Sequence, residues 1–567
     1  MASTPSETSS SSEEYAWNSV KPEAGPVLPS TQSLVGLQPN RMAFCVSVVA
    51  GNMNLQQKPE DVDNLLDMYW RYLHPLCPIL DRQKTVQEYQ RIINGSVKDL
   101  HNDSGVAILD LMLALASQLL EFTSYAERKA LGRIYYARAS FAKPLLSHIP
   151  ICLESLEHML LAISFLQNPE HAVDMGEACA SLIRMAMELD LDDPDTSVNE
   201  IEETECQRLR QLWHTCVLMD RKISLKRGCD TCLSDAMITN VPMPLAHDKV
   251  DWDSDLTAGP DASFLLESLM LTRIMQNYTW VYPKPIEQKV EMDRLADNVD
   301  KYKVGITIVT GALEINALLE HWRDHLPASL RNRLSDPPDP RSLGERPGLI
   351  LRLQFLHAQI LVLRPILSIF HHREPKPTQL AITSLLASHH VASLECILSA
   401  QEIISTLASF KALGDGPGMW PPWWERIHLA YTAANVIMLN EYRPEYSYRE
   451  SLKKSWNQAM DVLEAHDRCG PWARRALKAL HGLSTTLQGL KMQKGGLPKC
   501  SERELPPDRA LQIGDCSKVL QGFVMHMEQK ELVPEITRIE ELSELQSLSK
   551  DWASYLVRLC EEFASSQ

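Results

Sequence analysis

The sequence predicts an all-α fold, a multi-helical array behind a disordered N-terminal tail. Three observations carry that expectation. Apolar residues recur at steps of three and four along most of the chain, no useful length alternates with period two, and Pro and Gly punctuate the helical runs without a fixed repeat.

The helical spacing is clearest in two places. From Met175 to Leu189 the apolar side chains fall at Met175, Ala178, Cys179, Leu182, Met185, Ala186 and Leu189, which is one face of a helix. Leu209, Leu212, Trp213, Cys216 and Val217 repeat the pattern in the next helix. Val106–Leu120 is apolar nearly all round, as a central buried helix would be. In Leu65–Leu80 an aromatic-rich helix runs into Pro75 and Pro78, which must end it. Loops are expected at Arg331–Pro347, His371–Thr378, Gly414–Pro422 and Lys494–Asp508.

Residues 1–35, with SETSSSSEEY, hold too little apolar area to offset chain entropy and read as the disordered tail. Residues 36–490 read as one helical regulatory body, with order beginning near Asp61. Residues 491–510 read as a loop. Residues 511–567 read as a C-terminal helical segment, and its acidic-hydrophobic run IEELSELQSL suits either a docked helix or an activation region.

Composition narrows the classes. The 567 residues are 44% hydrophobic and 23% charged, ordinary globular usage. The net charge of −17 offers no basic stripe for nucleic acid. Arg208, Arg210, Arg221, Lys222, Lys226 and Arg227 come nearest, and they read as a solvated helix face plus internal ion pairs. The 13 cysteines are odd in number and scattered through apolar runs, which suits free thiols in a reducing compartment. No charged-then-apolar leader opens the sequence, and the longest apolar runs are broken by Asp110, Arg352 and Arg364, so neither a signal peptide nor a membrane span is expected.

Three stretches taken together carry a resemblance. The first is LLDMYWRYLHPLCPIL, with His74, Pro75 and Pro78. The second runs from Gly176 to Pro244 and contains Arg210, Leu212, Trp213, Asp220, Arg221, Ser224 and Gly228, then Asp235, Pro242 and Pro244. The third runs from Glu314 to Leu367, with Trp322, Leu326 and Pro327 followed by Arg364 and Pro365. This ordered set resembles the middle homology region of fungal zinc binuclear cluster transcription factors. Asp230 stands where that family has proline, His214 stands where a second tryptophan is common, and Asp235–Pro242 is one residue longer.

The resemblance implies a helical regulatory domain in a nuclear transcription regulator, one that governs nutrient use or a secondary-metabolite gene cluster. It implies no catalysis and no membrane partner. The family's DNA reader needs six closely spaced cysteines around two zinc ions. Before Asp61 there is only Cys45, and the lone CxxC is Cys229–Cys232. No zinc or other cofactor is therefore expected in this chain. DNA contact is expected to be indirect, through a homo- or heterodimer with a DNA-binding transcription factor, or to have been lost with a zinc-cluster exon. A coactivator or corepressor is the other expected partner.

Asp220 and Arg221 interrupt an apolar helix face, so each needs a partner in the fold. A structural role in fixing helix crossings is favoured over an effector site. Trp213, Trp322, Trp423 and Trp424 read as packing anchors. The remaining alternative is a magnesium-dependent, all-helical terpene synthase or prenyltransferase, suggested by Asp190, Asp192, Asp193 and Asp195 in LDLDDPD. Pro194 breaks the helix there, and no second acidic motif accompanies it. HExxH, GxGxxG, GxSxG and P-loop patterns are absent.

Overall fold

The computed structural model describes residues 59–94, 103–121, 123–141, 151–168, 175–193, 203–227, 230–245, 262–281, 298–331, 345–364, 380–409, 421–441 and 449–495. Among the described residues every regular element is a helix and there is no strand. The tail 1–35 and the segment 511–567 lie outside the described residues, as do Gly228 and Pro365.

The first lobe holds α1 (Pro59–Met68), α2 (Arg82–Ile93), α3 (Ser104–Ser117), α4 (Tyr125–Phe141), α5 (Leu153–Leu166), α6 (Met175–Glu188), α7 (Glu203–Arg227) and the short α8 (Asp235–Asn240). Its centre is α3, buried at every position from Val106 to Ser117. Asp103 caps that helix by accepting from the Val106 amide at 3.2 Å. Asp110 is the one charge in the buried run. Arg138 of α4 takes it in a two-pronged ion pair at 3.0 and 2.5 Å, the arrangement a buried carboxylate requires.

The proline turn is more irregular than a simple helix stop. After α1 the chain widens into a π turn at Tyr69–Leu73 and tightens into a 3-10 turn at His74–Leu76. Pro75 has no N–H to continue the ladder. The change of pitch stacks Trp70 edge-on against His74, with ring centroids 4.7 Å apart, and leaves Pro78 buried.

The second lobe holds α10 (Asn298–Asp324), α11 (Arg346–Leu363), α12 (Leu380–Ser409), α13 (Trp423–Glu441), α14 (Arg449–Ala465) and α15 (Pro471–Gly495). Two boundaries differ from the sequence expectation. Pro347, expected in a loop, sits in the first turn of α11, where a missing N–H does no harm. Helix α15 continues through residues 491–495, which were expected to be loop. The segment Val391–Ser409 of α12 is long and apolar enough to cross a membrane, and the sequence reading passed over it. Its Ala392, Cys396, Ala400, Ile403 and Leu407 enter the second core.

One helix belongs to both lobes. On α9 (Ser263–Val281), Leu265 and Leu269 join the first core, while Phe264, Leu271 and Met275 join the second.

Candidate functional site

Helix α7 carries most of the signature, and its faces do different work. Trp213 is fully buried in the first core. Asp220, 1% exposed, accepts the backbone amides of Cys232 and Leu233 at 3.0 and 3.1 Å, and the Cys179 thiol points at it from 3.7 Å. Arg221 does not pair with its neighbour. It donates to Asp235 at 3.0 Å. Ser224 bonds the Asp230 carbonyl at 3.2 Å, and a His214 ring nitrogen meets the Pro242 carbonyl at 3.1 Å. The sequence from Asp230 to Pro242 is thus tied back onto α7 at four points. Arg210 reaches Glu203 two turns earlier, at 3.9 Å.

Loss of that tie should be measurable. Asp220→Ala removes the acceptor of two backbone donors and is expected to cost about 2–3 kcal/mol in urea unfolding. Asp220→Asn keeps one carbonyl oxygen and should cost less. Equal stability of the alanine variant and the parent would show that the amides find water instead.

Polar contacts join the two lobes. The Trp423 indole N–H donates to the Gln118 carbonyl at 3.2 Å, and the Arg128 guanidinium lies over the same ring, 5.1 Å from its centroid. Arg128 also donates to the Cys469 carbonyl, and Arg426 pairs with Glu121. Arg346, 2% exposed, donates to the Tyr72 carbonyl at 2.7 Å, and burial brings its guanidinium down to about 10. Trp322 plays a comparable part between α10 and α9, donating to Glu267 at 2.8 Å.

The basic run on α7 is divided in the fold. Arg208 pairs with Glu157 and, at 3.3 Å, with Asp81. Lys222 is half-buried rather than on a fully solvated face, and burial disfavours its charge. Leu225, one turn on, packs against the second core, and Lys226 is exposed. Glu425 of α13 acts on Lys222 through space, while Lys226 and Arg364, at the end of α11, act on His428 of α13 and His357 of α11. The two imidazole centroids are 5.0 Å apart. Burial holds His428 down to about 4, and it holds His357 well below the ordinary range. Cys77 also faces Lys222, and burial pushes its thiol up to about 11. Sequence reasoning missed this group because its members come from four distant segments.

A separate cavity of about 360 Å³ is lined by Trp322, Leu326 and Phe355 together with Arg323, Arg331 and Arg352. Those guanidiniums are already engaged. Arg352 grips Glu402 at 2.8 and 2.9 Å, Arg323 holds Asp324 at 3.0 Å, and Arg331 donates to two carbonyls at 2.9 and 3.0 Å. The acidic stretch after α6 forms a turn in which Asp190 takes a positive φ of 53°. Pro194 and Asp195 lie outside the described residues. Among the described residues no three metal-capable side chains converge.

A helical body with its signature on a central helix agrees with the family comparison. The family model described as "Fungal specific transcription factor domain" matches residues 66–391, more than half of the 567 residues, and the chain belongs to that family. Two curated relatives are similar to it. The Sorbicillinoid biosynthetic cluster transcription factor 2 of Penicillium rubens is 25% identical over 435 residues, covering 75% of this chain and 61% of its own length. The Sorbicillinoid biosynthetic cluster transcription factor sor3 of Hypocrea jecorina is 21% identical over 489 residues, covering 82% of this chain and 67% of its own length. The chain therefore spans less than two thirds of the first of these relatives.

Proposed function

We propose that this chain is the regulatory body of a nuclear transcription regulator that controls a secondary-metabolite biosynthetic gene cluster. The observation that carries the reading is the family match across residues 66–391, together with two relatives whose names state control of a biosynthetic cluster. The scaffold supports it, because its signature residues tie helices together and leave no reactive constellation among them. In this reading the chain has no catalytic role and needs no resident cofactor. It reaches DNA through a dimeric partner that carries a zinc cluster, or through such a cluster in a longer form of the same protein.

Deleting the gene and sequencing the transcripts tests the reading. Transcripts of one co-located biosynthetic cluster are expected to change several-fold, and chromatin immunoprecipitation of the tagged protein should enrich the promoters of that cluster. Unchanged cluster transcripts with no promoter enrichment would refute it. Genomic sequence upstream of Met1 separates the two routes to DNA: six in-frame cysteines point to the longer form, and enrichment without them points to a partner.

A further inference from the structure

The cavity beside Trp322 is built from the end of α10, the turn that follows it and the first three turns of α11. Trp322, Leu326, Leu330, Leu351 and Phe355 are all buried and give it apolar walls. The Trp322 indole and the Phe355 ring lie within 28° of parallel, with centroids 6.2 Å apart. Glu267 takes the indole N–H, so Trp322 has only carbon surface left to offer the cavity. Two of the three arginines extend these flat walls. The guanidinium carbons of Arg323 and Arg352 lie over Phe355, 5.4 and 5.6 Å from its centroid. Carboxylates already match both charges, Glu402 for Arg352 and Glu320 with Asp324 for Arg323. A guanidinium held in this way presents a plane on which a ring can stack and no spare charge. Asp324, the one carboxylate in the lining, is occupied by the same pairing.

Arg331 is held differently. Its Nη2 atom donates to the Asp324 and Leu326 carbonyls at 2.9 and 3.0 Å, which fixes the side chain in the lining. Neutral carbonyls do not balance a charge, and among the described residues Arg331 has no carboxylate partner. Its Nε and Nη1 donors are unused there. The residue is exposed, so it stands where the cavity meets solvent. Flat apolar walls beside one positioned, unmatched guanidinium select a molecule with the complementary pair of features, a planar apolar body and a carboxylate. Guanidinium and carboxylate match each other fork to fork. A volume of about 360 Å³ falls at the small end of ligand sites, which run from roughly 300 to 1,000 Å³, so the occupant is compact.

We propose that this cavity binds a small aromatic acid, its rings against Trp322, Phe355 and the leucine walls and its carboxylate on Arg331. Such a molecule ties the end of α10 to the start of α11. The proposal does not depend on the transcriptional reading, because it is tested as binding to the purified full chain.

Calorimetric titration with three probes tests it. Naphthalene-2-carboxylate carries rings and charge, naphthalene-2-carboxamide carries the rings alone, and acetate carries the charge alone. In the parent chain the carboxylate should bind about tenfold more tightly than the carboxamide, the margin of one charge-assisted contact, and acetate should neither bind nor compete. In Arg331→Met that margin should vanish, with both ring probes binding at the strength of the carboxamide. Arg331→Lys keeps a cation without the fork and should restore part of the margin. Arg331 is exposed, so both variants are expected to fold; the three probes on the parent chain and on Arg331→Lys decide the matter if the methionine variant does not. Failure of the carboxylate to bind the parent, an undiminished margin in Arg331→Met, or competition by acetate would each overturn the proposal.

Discussion

Trp423→Ala is expected to lower the unfolding free energy of the helical body by about 3–5 kcal/mol, among the largest effects of any single truncation in this chain. The side chain is fully buried, so its loss leaves a cavity the size of an indole. It also leaves the Gln118 carbonyl without its donor and the Arg128 guanidinium without the ring it covers. Trp423→Phe keeps a ring in place and loses the N–H, for a cost nearer 1–2 kcal/mol. A double-mutant cycle of Trp423→Leu with Arg128→Met, which removes the ring and the cation in turn, would isolate the cation–ring contribution, expected at about 1 kcal/mol of coupling. Urea unfolding followed by both fluorescence and circular dichroism measures these differences. A loss below about 1 kcal/mol for the alanine variant would mean that the lobes are joined elsewhere.

Acidification is the second large effect, and its sign follows from opposing groups. Burial depresses His74 to about 3 and holds His428 and His466 down to about 4, with His357 well below its ordinary range. Arg82 acts on His74, Lys226 and Arg364 on His428 and His357, and Arg426 on His466, in each case against protonation. Asp81 and Glu121 act the other way on His74 and His466, but burial dominates. A depressed imidazole contributes stability above the ordinary histidine value near 6.5, and that stability is lost as pH falls towards the folded value. Glu157 runs the other way. Burial outweighs its Arg208 partner and raises its carboxyl to about 7, so its contribution is full below the ordinary value of 4.5 and is lost as pH rises towards 7.

Between pH 7 and 5 His74 loses roughly 2 kcal/mol and Glu157 gains roughly as much, so the two nearly cancel. His357, His428 and His466 then decide the outcome, each by less than His74 because each keeps some solvent contact. Tm should fall moderately from pH 7 to 5 and steeply below 4.5, where Glu157 has no more to give. Glu157→Gln removes the opposing contribution and should make the first part of that fall steeper. A Tm that rises from pH 7 to 5 in the parent chain would contradict the enclosure of these imidazoles.

The parts of the fold that could be read from sequence were those with local causes. The three-and-four spacing in α6 and α7 marks which side chains go inside, and Cys179, Leu182, Ala186, Leu212, Trp213 and Cys216 are all buried. Pro75 signals an ending by the N–H it lacks, but the π and 3-10 turns around it depend on packing that no local pattern encodes. Asp220 and Arg221 announce a need for partners by their place on an apolar face. Nothing nearby says that the acid takes two amides while the base takes Asp235. The junction was least legible. Arg128 meets Cys469, and Trp423 meets Gln118, across separations of hundreds of residues that leave no periodic trace. Lys222 belongs to a run of cations that looks like any wet helix face, yet in the fold it is half-buried and Glu425 of α13 acts on it.

Helix α9 sends adjacent side chains into different interiors, Phe264 into one and Leu265 into the other. Because it is a single rigid rod, any twist about its long axis disturbs both interiors at once. The two halves are consequently geared together: a solute or protein that grips one of them reports its presence to the other without touching it. Heating should then melt both in one calorimetric peak, and a helix-breaking substitution in the middle of this rod should split that peak in two.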